Sequence, residues 1–180
     1  SDYMKPAVRL AALMKVPVKF IWTHDAFRVG EDGPTHEPVE QEAQIRLMEK
    51  LKNHDGKDSV RVFRPADADE TTVCWRLAME NTESPTALIF SRQGIAKLPE
   101  GNDYDQAAKG AYIVAGSDEN PDVILVASGS EVSTLEAGKK LLNNDGIKVR
   151  VLSVPSEGLF RSQPKEYQES ILPRDAKVFG

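Results

Sequence analysis

Short apolar runs alternating with segments of helical period predict an α/β fold of parallel-sheet, three-layer units. Three observations carry this. The runs at 16–22, 60–63, 86–90, 123–127 and 147–154 have strand length and near-continuous hydrophobicity. That is the pattern of strands buried on both faces. Between them lie stretches whose apolar residues recur every three or four positions, as on one side of a helix. The 180 residues are 40% apolar and 28% charged, a globular composition. Parallel neighbours require crossover connections, which are right-handed.

The elements follow in order. Residues 3–14 form a helix, with Val8, Ala11, Ala12 and Lys15 on one face. Leu10, Leu13 and Met14 widen its apolar arc, so the helix is expected to be buried on most sides. Pro6 is tolerable only in its first turn. A strand over 16–22 leads into a polar loop. Residues 38–51 form a second helix, with Val39, Ala43, Leu47 and Leu51 at four-residue spacing. The polar turn 53–58 precedes strand 60–63, which Arg64-Pro65 stops. Asp67 and Glu70 have the spacing of a capping box and start a helix with Val73, Cys74, Leu77 and Ala78 on one face. Strand 86–90 delivers Ser91-Arg92-Gln93. Ser128 and Glu131 offer a second capping box between strand 123–127 and a helix over 132–143.

Glycine, Asn, Asp and Pro crowd 94–121, marking a linker with one short strand at 111–114. The boundaries are a first unit at 1–94, a linker at 95–110 and a second unit at 111–180. The second unit has too few elements to cover both faces of a parallel sheet. The first helix opens without a cap, and residues 176–180 read as a strand just beginning. These features lead to the expectation of an excised piece of a longer protein.

Composition excludes several classes. A net charge of −5 argues against nucleic acid, since phosphate binding needs a basic footprint. No apolar run approaches the roughly 18–20 residues that span a bilayer, and the N-terminus has no signal-peptide pattern. The single Cys74 forms no internal disulfide, which fits a reducing, cytoplasmic compartment.

The loop 23–36 concentrates chemistry. It holds His24 and His36, two of the three histidines in the chain, with Asp25, Glu31 and Asp32. Titratable groups just past a strand end are where open α/β sheets build sites. Gly30 and Gly33 allow a tight backbone excursion, because glycine takes positive φ at low cost. Imidazole serves as proton donor or acceptor near neutrality, and Asp32 accepts from a hydroxyl or fixes a tautomer. Arg92, also past a strand end, suits a phosphate or carboxylate held by two parallel bonds. Each has a structural alternative: His24 bonding loop carbonyls, Asp32 bonding its own turn, Arg92 in a surface ion pair. A metal cluster of His24, Asp25, Asp32 and His36 matches no zinc or calcium spacing. His54 reads as solvated, Cys74 as core, and Tyr3, on residue type, as a core aromatic. Ser128-Gly129-Ser130 is equally compatible with a phosphate cradle and a helix cap.

Thr23-His24-Asp25, then Gly30-Glu31-Asp32-Gly33-Pro34-Thr35-His36 and Pro38-Val39-Glu40-Gln41, resemble transketolase. Arg64-Pro65-Ala66-Asp67, Ser91-Arg92-Gln93 and the stretch 121–132 follow in family order, so the resemblance covers essentially the whole chain. It implies the second half of a thiamine-diphosphate-binding pyrimidine domain, and the first half of a Rossmann-like C-terminal domain. It further implies transfer of a two-carbon ketol unit between sugar phosphates, at a site shared by two subunits of a homodimer. By that resemblance Tyr3 packs on the cofactor's aminopyrimidine, and His36 assists proton transfers near the thiazolium. Asp32 accepts from a sugar hydroxyl, and His24 and Arg92 hold the substrate phosphate.

The chain departs from the family pattern at Ala26-Phe27-Arg28, in a longer 45–60 stretch and at Val154-Pro155-Ser156-Glu157. The family's diphosphate- and metal-binding domain and its activating glutamate have no counterpart here. The resemblance therefore implies thiamine diphosphate and a divalent cation (Mg or Ca) in the full-length parent, with none bound by this piece, which is expected to be inactive alone. The alternatives are a formaldehyde-using relative and the non-catalytic, partner-binding half of a split enzyme.

Overall fold

A computed structural model describes residues 2–25, 33, 40–99, 103–116 and 120–180. They divide into two compact units: residues 1–64 with 74–94, and 65–73 with 95–180.

In the first unit, a short 3-10 turn at Asp2–Met4 leads into α1 (Lys5–Met14), with Pro6 in the first turn where its missing N–H costs nothing. Lys15 ends α1 in the left-handed region at φ 55°, its N–H bonding back to Ala11 and Ala12. Strands β1 (Lys19–Trp22), β2 (Arg61–Phe63) and β3 (Thr86–Ile89) form a parallel sheet in the order β1-β3-β2. Trp22 sits opposite Ile89, and Phe63 opposite Leu88. α2 (Glu40–Glu49) and α3 (Ala68–Glu80) connect them. The core joins Val8 and Ala11 of α1, Ile45 of α2 and Phe20, Val62, Ala87 and Ile89 of the sheet. Each large apolar side chain buried there contributes about 1.5–3 kcal/mol.

Only one side of α1 is buried. Leu10, Leu13 and Met14 are 57–66% exposed, against the expectation of burial on most sides. The wide apolar arc reads the same whether or not a neighbour covers it. Edge strand β2 is protected by Glu49, buried at 3% exposure, whose Oε1 accepts from the Val62 N–H at 3.1 Å. An edge N–H left open is a template for strand addition.

In the second unit, β4 (Tyr112–Gly116), β5 (Val123–Ala127), β6 (Val149–Ser153) and β7 (Val178–Phe179) take the order β4-β6-β5-β7. β5, β6 and β7 are parallel, but β4 runs antiparallel to β6 with a bulge between Ile113 and Ala115. The expectation of wholly parallel pairing is thus corrected at this edge. The connection from β4 to β5 is too short for the dozen or more residues a parallel crossover needs.

α4 (Glu131–Asn144) packs on β5 and β6. α5 (Glu157–Ser162) and α6 (Lys165–Ile171) supply Phe160, Tyr167 and Ile171 to a separate cluster with Ile124 and Leu152. Both faces are therefore covered, correcting the expectation of too few elements; the short, weakly periodic α5 and α6 were not foreseen. The helix after β5 starts later than a cap at Ser128 would place it. The helix begins at Glu131 itself, with Ser130 at the N-cap and no side-chain cap bond, so Glu131 lies one residue into the helix rather than three.

Two glycines are required. At Gly110, φ 87°, a Cβ would lie 2.3 Å from the Phe160 amide nitrogen and 2.4 Å from the Ser156 carbonyl oxygen. At Gly116, φ 108°, it would lie 2.0 Å from the Val149 carbonyl oxygen. Arg150, fully buried in β6, donates from Nη1 to the carbonyls of Ser170 and Ile171, closing the C-terminal end of α6.

Residues 65–73, including the start of α3, belong to this second unit. The Asp67 carboxylate accepts from the N–H of Glu70 at 2.9 Å, as the capping spacing predicts. Its other oxygen accepts from the Leu98 N–H at 3.0 Å and the Tyr104 hydroxyl at 2.9 Å. Glu70, fully buried, reaches the Ala66 N–H at 2.8 Å rather than the N-cap amide and accepts from the Tyr112 hydroxyl. Burial pushes the Glu70 carboxyl above its usual range, against the pull of the Ser153, Ala66 and Tyr112 donors; the Ser153 hydroxyl lies beside it short of full hydrogen-bond geometry. No helix among the described residues is long and apolar enough to cross a membrane.

Candidate functional site

The C-terminal ends of the three parallel strands in the first unit carry the candidate site. Asp25 follows β1, Arg64 follows β2 and Ser91 follows β3. The side chain of Asp25 is wholly buried, and its Oδ2 accepts from Arg64 Nη2 at 2.7 Å and from Ser91 Oγ at 2.8 Å. One carboxylate oxygen thus ties together three strand ends, across 39 and 66 positions of sequence. A buried charge is tolerated only when paired and hydrogen-bonded, and Arg64, 4% exposed, supplies the opposite charge. Arg64 Nε also lies 3.4 Å from Glu42 Oε2 on α2, and Glu42 Oε1 accepts from Arg46 Nε at 2.8 Å.

Two exposed groups flank this buried network. His24 precedes Asp25, and Arg92 follows Ser91. Because Trp22 pairs with Ile89 on adjacent parallel strands, both leave the same end of the sheet. His24 Nδ1 lies 2.9 Å from Thr23 Oγ1, a contact that engages one ring nitrogen. The arrangement presents an imidazole and a guanidinium beside each other's strand ends, suited to an anionic ligand.

Tyr3 lies in the N-terminal 3-10 turn and is fully exposed, so it is not the core aromatic its residue type suggested. An exposed ring is able to stack on a planar ligand. Asp32 and His36 lie outside the described residues; Gly33 between them takes φ 73°, in line with the positive φ expected of that loop. His54 is exposed and Cys74 is buried in the core. Among the described residues, no group of three or more His, Cys, Asp or Glu is placed to hold a metal ion.

Sequence reasoning missed Asp25, Arg64, Ser91 and Glu42 as a unit. Arg64 was read as the stop of a strand, and Asp25 as one member of a loop. The available signal was positional: a polar residue able to pair, just past the end of each of three parallel strands.

Residues 1–97 match the family model of the transketolase pyrimidine-binding domain, and residues 110–179 match that of the transketolase-like C-terminal domain. A transketolase of Halalkalibacterium halodurans is 48% identical over 177 residues, covering 97% of this chain and 25% of its own length. A solved transketolase variant from Pichia stipitis superposes with a TM-score of 0.86 at 38% identity, over 98% of this chain and 25% of its own. A split-gene transketolase described as an inactive beta4 tetramer shares the fold over 86% of this chain and 44% of its own, with a TM-score of 0.60 at 24% identity. The chain spans about a quarter of the length of the curated relatives it matches. With a family model matching more than half of its residues, this chain belongs to the transketolase family.

Proposed function

We propose that this chain is the substrate-facing part of a longer enzyme that transfers a two-carbon ketol unit from a ketose phosphate to an aldose phosphate. The observation that carries the reading is the pair His24 and Arg92, exposed on neighbouring strand ends and seated on the buried Asp25–Ser91 contact. Arg92 and His24 hold the sugar phosphate by charge-assisted hydrogen bonds. Asp32 accepts from a substrate hydroxyl and selects its configuration, and His36 takes up and returns protons at the reacting oxygen. Tyr3 offers its ring face to the aminopyrimidine. Thiamine diphosphate, bound with a divalent cation (Mg or Ca) by parts of the parent outside these residues, supplies the carbanion-stabilising chemistry. The parent is a cytoplasmic homodimer, and the 180-residue chain by itself is inactive.

Ketol transfer from xylulose 5-phosphate to ribose 5-phosphate by the full-length protein tests this reading, with Arg92→Ala as the informative variant. KM should rise by one to two orders of magnitude, the equivalent of roughly 1.5–3 kcal/mol for a hydrogen bond to a charged group. An unchanged KM removes Arg92 from the phosphate site. Comparing formaldehyde with aldose phosphates as acceptors separates a formaldehyde-using relative.

A second reading is the non-catalytic half of a split enzyme. The fold shared with the split-gene transketolase favours it. Co-purification of the chain with a separate cofactor-binding chain would support this reading over the first.

A further inference from the structure

The parallel ladder between β1 and β3 ends just before the two residues proposed to hold the substrate phosphate. Its last pair is Trp22 opposite Ile89, and the Phe90 N–H donates to the Trp22 carbonyl at 2.7 Å. His24 and Arg92 both follow that last rung. Beyond it a side-chain bond joins the two chains: the Ser91 hydroxyl donates to Asp25 Oδ2 at 2.8 Å. Each partner in this bond is the covalent neighbour of one phosphate-holding residue, Asp25 of His24 and Ser91 of Arg92, at about 3.8 Å between Cα atoms. The Asp25 side chain is wholly buried, and a hydrogen bond in such a medium is stronger than in water. Asp25 Oδ1 has no hydrogen-bond partner among the described residues, so Oδ2 alone carries the tie.

A carboxylate this near an anion site would by itself repel the anion. Arg64 Nη2, 2.7 Å from the same oxygen, cancels that charge. Asp25 therefore contributes geometry rather than field.

We infer that Ser91, acting through Asp25, is a positioning residue that sets the separation of His24 and Arg92 and so favours phosphorylated over unphosphorylated sugars. The inference rests on the proposed reading in which those two groups hold the substrate phosphate. Ser91 has no need to touch the phosphate. A guanidinium makes two parallel bonds to phosphate only when its fork is aligned with the oxygens. An imidazole on the neighbouring strand end reaches a further oxygen only at one spacing of the two ends. Because Ser91 works through its neighbours, its loss should cost less than the loss of Arg92 itself. The expected size is that of pre-organising one flexible side chain, a factor of about three to ten in affinity. The reacting atoms are not displaced, so kcat should stay within about twofold of wild type.

The test uses the full-length protein with thiamine diphosphate and its cation in place, so that the cofactor's own phosphate sites are filled. Inorganic phosphate is titrated calorimetrically into wild type, Ser91→Ala, Ser91→Cys and Arg92→Ala. In Ser91→Ala its Kd should rise about three- to tenfold. With saturating donor, KM for ribose 5-phosphate should rise by the same factor, while KM for ribose stays at the wild-type value. Ser91→Cys, whose thiol is a weak donor, should shift the same way by less. It keeps the test open if Ser91→Ala does not fold. An unchanged phosphate Kd in both Ser91 variants overturns the inference. So does an equal loss on ribose and ribose 5-phosphate, or a fall in kcat without the KM difference, since a merely structural serine would act on both sugars alike. If Arg92→Ala also leaves the phosphate Kd unchanged, the phosphate-site reading falls together with the inference. If Arg92→Ala weakens phosphate and the Ser91 variants do not, that reading stands and the role of Ser91 alone is rejected.

Discussion

The Tyr112 hydroxyl donates to Glu70 Oε1 at 2.8 Å, joining residues 42 positions apart inside the second unit. Neither end is exposed: Glu70 is fully buried and Tyr112 is 3% exposed. The same contact and burial push the Tyr112 hydroxyl far above its usual range, so it remains a donor at every physiological pH.

Glu70 makes stability depend on pH in a definite direction. Its folded carboxyl is raised above the ordinary 4.5, mainly by desolvation. A group raised in the folded state contributes stability fully present below 4.5, and this is lost as pH rises through the folded value. Between those limits the unfolding free energy of the wild-type chain should fall relative to Glu70→Gln, by at most about 1.4 kcal/mol per pH unit. Denaturant titrations of both proteins across this range read it directly; parallel pH profiles would contradict it.

Tyr112→Phe keeps the ring packing and removes the donor. Glu70 then loses a buried hydrogen-bond donor, which should cost about 1–3 kcal/mol. Denaturant unfolding of the variant and the wild type reads this cost, and equal stabilities would mean that the hydroxyl contributes packing alone.

Asp67→Ala removes the N-cap of α3 together with the acceptor for Leu98 and Tyr104. An N-cap alone is worth about 0.5–2 kcal/mol, so the full loss should exceed about 2 kcal/mol. Asp67→Asn retains an acceptor and should recover part of it. A melting temperature for Asp67→Ala within error of wild type would reject this assignment.

Gly110→Ala should destabilise by more than about 2 kcal/mol, combining a positive φ with a backbone overlap that no rotamer relieves. Gly138→Ala, in the middle of α4 with open space around it, should be neutral or stabilising by up to about 1 kcal/mol. Chemical denaturation of the pair distinguishes a steric requirement from a general intolerance of change.

His36→Ala in the full-length enzyme should lower kcat with little change in KM, as expected for a proton-transfer group worth about 10²–10⁴ in rate. His54→Ala should leave both unchanged, since His54 is exposed in the polar turn that precedes β2, whereas the site residues follow the strands. Steady-state kinetics on the two variants makes the comparison internal to one assay.

Strand and helix identity was legible wherever one physical rule dominated. β3 and β5 read as buried strands because their runs are short and continuously apolar, and α3 was readable from the Asp67 cap. The reading failed where two rules compete or a partner decides. Ser128 and Glu131 have capping spacing, but the helix itself begins only at Glu131. β4 looks like any short strand, and only its short connection to β5 reveals the reversed direction. α5 and α6 are too brief for periodicity to declare. Of the site, exposed His24 and Arg92 stood out by residue type, while the Asp25–Arg64–Ser91 network depends on strand order, β1-β3-β2, which local sequence does not encode.

The grouping of residues 65–73 with 95–180 bears on how this protein can be taken apart. A truncation ending at 94, drawn where composition shifts, would keep Asp67 and Glu70 yet discard Leu98, Tyr104 and Tyr112, the donors that neutralise their burial. The product would keep the Glu70 and Ala66 N–H bonds but leave one oxygen of each carboxylate without its donor at the start of α3, and that end of the helix should fray and be nicked by protease. Contiguous chain is the wrong unit of dissection here. A stable second module would need 65–73 supplied in trans or by permutation.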